Sequence, residues 1–213
     1  MFNGHYIEWN KNRINFIFST LNKKDYKNKS VLEVGCGYAK MGESFWEKGC
    51  KVHSIDAREK HISVCKEIHS DKEGMSFEVI NLEDEINLKE YDILLHVGVL
   101  YHLPDIEKSI KDMNKLCKEI LILETEVCDS DNPDVCLHIS EYNGYDQSIS
   151  GRGSRPSADY VEKLLDENGF SYIRYDDAQL NSVEMNSHFY DWKVENTNTW
   201  ENGRRRFWIC KKK

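Results

Sequence analysis

Apolar residues recur along this chain with two periods that take turns. Around "INFIFSTL", within residues 6–21, Ile7, Ile14, Ile17, Phe18 and Leu21 fall near one face at helical spacing. "SVLEVG" then reads as a buried strand running into a glycine turn, with a short helix over 41–48 behind it. "KVHSID" is a second strand ending on Asp56, and 58–70 spaces Ile62, Cys65 and Ile68 or His69 for one helical face. "SFEVIN" and "YDILLHV" supply the third and fourth strands, and 105–117 sets Ile106, Ile110, Met113 and Cys117 at helical spacing. "EILILETEV" is the fifth strand and the most hydrophobic. The alternation predicts a parallel sheet covered by helices.

The pattern then changes. Residues 126–156 carry Asp, Asn, Gly and Ser with few aliphatics, and read as a long irregular insertion of the kind that is usually functional. "RPSADYVEKLLDENGF" is a helix with Ser157 as its N-cap and Gly169 as its stop. "SYIRYDD" and "RRRFWICKKK" follow as two closing strands without a helix between them, predicting a final antiparallel pair. In "RRRFW", alternation puts Arg204 and Arg206 on one face, which reads as an exposed edge.

Composition narrows the class. With 213 residues, 39% hydrophobic and 31% charged, the chain suits one soluble domain. No apolar run approaches the length of a transmembrane helix, and "MFNGHYIEWNKNR" lacks a signal core, so a cytoplasmic location is expected. The net charge of −8 argues against a surface for non-specific nucleic-acid binding. Seven irregularly spaced cysteines without a CxxC pair read as free thiols, with neither a disulfide framework nor structural zinc.

Strand-to-helix glycine turns aim backbone N–H groups into the crevice at the strand ends. Here the turn is Gly35-Cys36-Gly37-Tyr38-Ala39-Lys40, and lysine at the third position of GxGxxG disfavours a dinucleotide. No GK[ST] follows, so a P-loop is excluded. Glu33, two residues before Gly35, faces either the crevice or solvent. Asp56, 21 residues after Gly35, ends the next strand where a carboxylate accepts both hydroxyls of a ribose.

These residues resemble the class I S-adenosylmethionine-dependent methyltransferases: "LEVGCG" their first motif, "VHSID" their second, and "YDILLHVGVLYHLPD" their fourth-strand segment. The resemblance implies a Rossmann-like α/β fold: a seven-stranded, mostly parallel sheet, its last strand antiparallel, with helices on both faces. It implies a single domain over 1–213, with an N-terminal helix (5–22) and the insertion 126–156 as a substrate lid. S-adenosylmethionine would be the cofactor and S-adenosylhomocysteine the product. By position, Gly35, Cys36 and Gly37 would approach its methionine part and Asp56, with Ala57, its ribose. Asn81 and Leu82 would contact the adenine, although Asn81 departs from the commoner acid there and nearby Glu83 could serve. His96, Val97 and Gly98 would lie near the methyl sulfonium. Tyr6, Trp9 and Arg13 share roughly one helical face, and Trp9 and Arg13 would cover the methionine end. The core is also similar to enzymes that carboxymethylate wobble uridine in tRNA, without their N-terminal region.

Methyl transfer asks the protein mainly for alignment and dryness, with a base only where the acceptor is protonated. Three catalytic candidates stand out: His102 in "GVLYHLPD", His138 in the insertion, and Glu126, which alternation pairs with Glu124 at the end of the fifth strand. Each has a structural alternative; no metal is expected. For the acceptor, Tyr101 and His188 could line the pocket, and Arg152 and Arg155 on "SGRGSRPS" could clamp a carboxylate or phosphate, or belong to a solvated loop. The expected activity is methylation, at oxygen, of a small polar acceptor such as a sugar, nucleotide-sugar or natural-product intermediate. RNA or protein methylation, or a non-catalytic cofactor-binding subunit, are the competing readings.

Overall fold

The computed structural model describes residues 4–141, 147–182, 190 and 204–213, with backbone alone for 4–6. Seven strands form one sheet. Its order is β3 (Met75–Val79), β2 (Lys51–Asp56), β1 (Ser30–Val34), β4 (Tyr91–Val97), β5 (Cys117–Glu126), β9 (Arg205–Lys212) and β8 (Phe170–Arg174). All neighbours pair in parallel except β9, which runs antiparallel to both β5 and β8. The expected sheet with its antiparallel last strand is therefore borne out.

Strand alternation explains why both faces are covered. Leu32, Val34 and Leu94 pack toward α5 (Ile106–Leu116) and α6 (Ala158–Glu167), against Ile110, Met113, Val161 and Leu165. Val31, Ile93 and Leu95 face the other way, toward α1 (Gly4–Thr20) and α3 (Lys40–Trp46), against Ile17 and Phe45. Each such fully buried side chain stabilises the fold by roughly 2 kcal/mol. The caps follow the residue types: Asp105 accepts from Lys108 N at 2.9 Å and Ser157 from Tyr160 N at 3.0 Å. The remaining helices are α2 (Lys23–Tyr26) and α4 (Glu59–Ile68).

Two expectations are corrected. The insertion is not irregular throughout: β6 (Cys136–Ser140) and β7 (Arg152–Pro156) form an antiparallel hairpin. "RGSRP" hides this because it holds Gly and Pro and no β-branched or aromatic residue. Ser154 fastens it to the body, its hydroxyl donating to Leu103 O at 2.7 Å. Nor do the arginines of "RRR" form an exposed edge, since Arg204, Arg205 and Arg206 are all buried. β9 lies between two strands, and carboxylates of Asp129, Glu124 and Asp176 meet the three guanidiniums in turn. No described helix is long and apolar enough to cross a membrane.

Candidate active site

The loops at the carboxyl ends of β1 to β4 enclose a cavity of about 330 Å³, within the range of small-molecule sites. On one side is the glycine turn. Gly35 (φ +59°) and Gly37 (φ +53°) are left-handed, and a Cβ on Gly35 would collide with Val99 Cγ2. Gly37 N and Arg58 N donate to Asp56 at 3.0 and 2.8 Å, and His61 Nδ1 lies 3.2 Å from the same carboxylate. Burial pushes the Asp56 carboxyl up, but these three groups outweigh it and hold it below the usual carboxylate range. A fixed, ionised acceptor thus stands at the end of β2.

The glycine missing from the third position of the turn is replaced further along. A Cβ on Gly42 would lie 2.5 Å from Glu33 Oε2 and 3.0 Å from Ser54 Oγ. Gly42, two residues after Lys40, therefore lets α3 approach the sheet closely. Beneath it Glu33 is buried and accepts from the Ser54 hydroxyl at 2.8 Å. Burial pushes Glu33 up to about 7, with Ser54 and the N–H groups of Gly42 and Met41 pulling the other way.

Trp9, Arg13 and Tyr101, which also line the cavity, belong to a stack of cations and rings that continues behind it. The Arg13 guanidinium lies 3.6 Å from the Trp9 ring centroid, and Arg205 lies 4.4 Å from the same ring. Arg205 also sits 4.7 Å from the Tyr101 ring, and Arg155 is 5.0 Å from it. Carboxylates run alongside. Glu124, wholly buried, meets Arg13 at 3.3 Å, Arg205 at 3.0 Å and the Tyr190 hydroxyl at 3.1 Å. The Trp9 indole N–H donates to that hydroxyl at 2.7 Å. Glu126 accepts from Arg155 Nε at 2.7 Å, and Glu141 accepts from Arg155 Nη1 at 3.2 Å. At the end of the row, His102 Nδ1 meets Glu141 Oε2 at 2.7 Å.

Most of the expected residues meet in this one cavity. Glu33, Gly35, Cys36, Gly37, Asp56 and Ala57 line it from the first two strands, and Asn81, Leu82 and Glu83 from the third. Val97, Gly98, Tyr101 and His102 line it as well, with Trp9 and Arg13 close to Gly98. Asn81 Oδ1 is taken up by Glu83 N at 3.1 Å.

Others lie elsewhere. His96 alternates with Leu95 and Val97 along β4, so its ring faces α5, meets Ser109 Oγ at 2.9 Å and is wholly buried. Burial pushes that imidazole down to about 4. Arg152 and Arg155 are three residues apart on a strand and so point to opposite faces. Arg155 is consumed by Glu126, Glu141 and the Tyr101 carbonyl, whereas Arg152 is exposed beside exposed His138 on an outer depression. Glu126 is half-buried between Arg155 and Arg205 and does not line the cavity. His188 lies outside the described residues. Among those described, no three His, Cys, Asp or Glu side chains are grouped to hold a metal ion.

Sequence reasoning missed Glu141, Arg205 and Tyr190. A signal existed for Arg205, which pairs directly across from Glu126 in the β5–β9 register. Glu141 is one acid in a polar stretch, and Tyr190 is one aromatic in another; periodicity marks neither.

The donor set suits a nucleoside-bearing cofactor: an ionised carboxylate for a diol, an apolar slot at Ile80, Leu82 and Leu103, and lining glycines. At Gly98 (φ +77°) a Cβ would stand 3.4 Å from Arg13 Nη1 and 3.7 Å from Trp9.

A family model described as a methyltransferase domain matches residues 6–175. A ubiquinone biosynthesis O-methyltransferase of Pelagibacter ubique (strain HTCC1062) is 33% identical over 98 residues, 45% of this chain and 40% of that protein. One from Coxiella burnetii (strain Dugway 5J108-111) is 32% identical over 95 residues, 43% of this chain and 40% of that protein. The chain thus spans about two fifths of the length of these curated relatives. Among solved structures, the N-terminal domain of EvdMO1 with S-adenosylhomocysteine and D-fucose superposes with a TM-score of 0.71 at 12% identity, covering 95% of this chain and 82% of that one. Magnesium protoporphyrin IX methyltransferase from Synechocystis PCC 6803, with bound S-adenosylhomocysteine, gives 0.66 at 13% identity, covering 98% and 84%. These structural likenesses are likenesses of fold; the family match spans most of the chain, which belongs to the S-adenosylmethionine-dependent methyltransferase domain family.

Proposed function

We propose that this chain transfers a methyl group from S-adenosylmethionine to a hydroxyl oxygen of a small, uncharged acceptor such as a sugar or another hydroxylated metabolite. When bound, the cofactor supplies an electrophilic methyl on a sulfonium sulfur. Asp56 and the glycine turn would hold its ribose and methionine parts, Asn81 and Leu82 its adenine, and Trp9 and Arg13 would close over the methionine end. His102 would hold the acceptor hydroxyl and take its proton on Nε2. Segment 147–149 of the insertion lines the same cavity, which supports its reading as a substrate lid.

The observation that carries this reading is the placement of His102, a titratable ring that lines the same cavity as the glycine turn and Asp56. The names of the curated relatives support oxygen as the atom methylated. The charge pattern supports a neutral acceptor. Among the described residues, the guanidiniums of Arg13, Arg155 and Arg205 each already face a buried or half-buried carboxylate, and that of Arg58 is taken up by the Gln147 carbonyl.

The test is methyl transfer from labelled S-adenosylmethionine to a panel of sugars, phenols and their phosphorylated counterparts. Neutral hydroxyl acceptors are expected to react. Labelling confined to RNA or protein, or to phosphorylated acceptors, overturns the proposal. S-adenosylhomocysteine binding without any turnover points instead to a cofactor-binding subunit.

A further inference from the structure

We infer that Glu141, carried at the end of β6, is a positioning residue of the transfer site: its carboxylate fixes His102 as the Nδ1–H tautomer and so reserves Nε2 for the acceptor. This rests on the reading of His102 as the base.

The geometry is specific. Glu141 is buried although residues 136–140 of the strand it leaves are half-buried or exposed. Its Oε2 accepts from His102 Nδ1 at 2.7 Å and from Ser148 N at 3.0 Å, and its Oε1 accepts from Arg155 Nη1 at 3.2 Å. Burial works to raise this carboxyl, but the hydrogen bond from His102, the Ser148 N–H and Arg155 together hold it below the usual range. An ionised carboxylate only accepts, so the 2.7 Å contact requires the proton on Nδ1. A neutral imidazole has a single N–H, which leaves the Nε2 lone pair bare. No described residue bonds Nε2, and the ring lines the cavity. The Tyr101 ring, 3.9 Å away between centroids, supports the imidazole from one side.

The seat of Glu141 is itself shaped. A Cβ on Gly153, in the opposite strand of the hairpin, would fall 2.5 Å from Glu141 Oε1 and 2.7 Å from the Tyr101 carbonyl oxygen. Only glycine lets β7 lie this close, and the closeness puts the carboxylate at the ring. A residue that merely anchored the hairpin would need the Arg155 and Ser148 contacts alone; neither involves His102.

The experiment reads the tautomer directly, without an acceptor. Histidine labelled with nitrogen-15 in the full chain, saturated with S-adenosylhomocysteine, gives two-bond spectra that separate Nδ1–H from Nε2–H rings. The His102 signal is assigned by its loss in His102→Asn. The Nδ1–H form is expected in the wild type and in Glu141→Gln, whose amide oxygen still accepts. Glu141→Ala is expected to move the ring to the Nε2–H form, and Gly153→Ala to move part of the population while Glu141 is still present. With an acceptor in hand, Glu141→Ala should slow transfer about 100-fold at unchanged S-adenosylhomocysteine affinity. An Nε2–H ring in the wild type, or an unshifted ring in a folded Glu141→Ala or Gly153→Ala protein, overturns the inference. Failure of the underlying reading looks different: His102→Asn then retains transfer whatever the tautomer, or S-adenosylhomocysteine does not bind.

Discussion

The cavity wall at the ends of β1 and β2 is built from backbone: glycine turns, main-chain N–H groups and one carboxylate that accepts from two of them. A second region, packed behind Trp9, Arg13 and Tyr101 of the cavity, is built from side chains: Arg13, Arg205 and Arg155 are interleaved with Trp9 and Tyr101 and neutralised by glutamates. A backbone cradle serves any member of a family that binds one cofactor. A set of buried charge pairs holds together only as a whole, because each charge is stable only with its partner present. The difference teaches how each region is specified: the first by local backbone conformation, the second by partners brought together from distant segments.

The largest effect should come from breaking the second region. Glu124→Gln leaves Arg13 and Arg205 buried against a neutral group, and is expected to cost about 3–5 kcal/mol in denaturant unfolding. Loss below about 1 kcal/mol would mean that the stack tolerates uncompensated charge and does not hold together as a whole.

The base comes next. His102→Asn should lower transfer by about 10²- to 10⁴-fold while S-adenosylhomocysteine affinity, measured by calorimetry, stays within twofold. Asp56→Ala should do the reverse, weakening binding about tenfold or more while transfer at saturating S-adenosylmethionine falls far less than in His102→Asn. It also lowers the unfolding midpoint, because Gly37 N and Arg58 N lose their acceptor. If both variants damage both readouts equally, the two residues do not act separately.

Acidity offers a finer separation through two buried groups. His96, down at about 4 from 6.5, is protonated first in the unfolded chain, so its contribution to stability is lost as pH falls from 6.5 to 4. Glu33, up at about 7 from 4.5, behaves oppositely: its contribution is present below 4.5 and lost as pH rises toward 7. Between about pH 4.5 and 6.5 the two slopes oppose. His96→Gln should therefore give a protein that loses stability as pH rises through this window, and Glu33→Gln one that gains it. Each change would amount to roughly 3 kcal/mol at most. Identical curves in both variants would show that neither group carries the linkage.

The smallest effect is expected at the outer depression. Arg152→Ala and His138→Ala, exposed and away from both regions, should change stability by less than about 0.5 kcal/mol and transfer by less than twofold. A larger loss of transfer would extend the acceptor site onto the outside of the hairpin.

The alternation of helix and strand, the antiparallel closing pair and the cofactor wall could be read from the amino acids in order. Periodicity is a property of neighbours in the chain, and a glycine that must be left-handed is marked at its own position, as at Gly35 and Gly37. The network of buried charge pairs could not be read this way. Glu124 meets Arg13 from 111 residues away and Arg205 from 81, and Glu141 reaches His102 across 39. Along a strand, an arginine that faces water and one that faces a buried carboxylate look alike, so "RRR" resembled an edge until its partners were in place. Arg152 and Arg155 looked like a pair until strand geometry set them on opposite faces. The chain thus determines locally which donor is held, through backbone conformation. Only the tertiary structure decides which charges are buried together, because a buried charge is defined by its partner, and its partners come from distant segments.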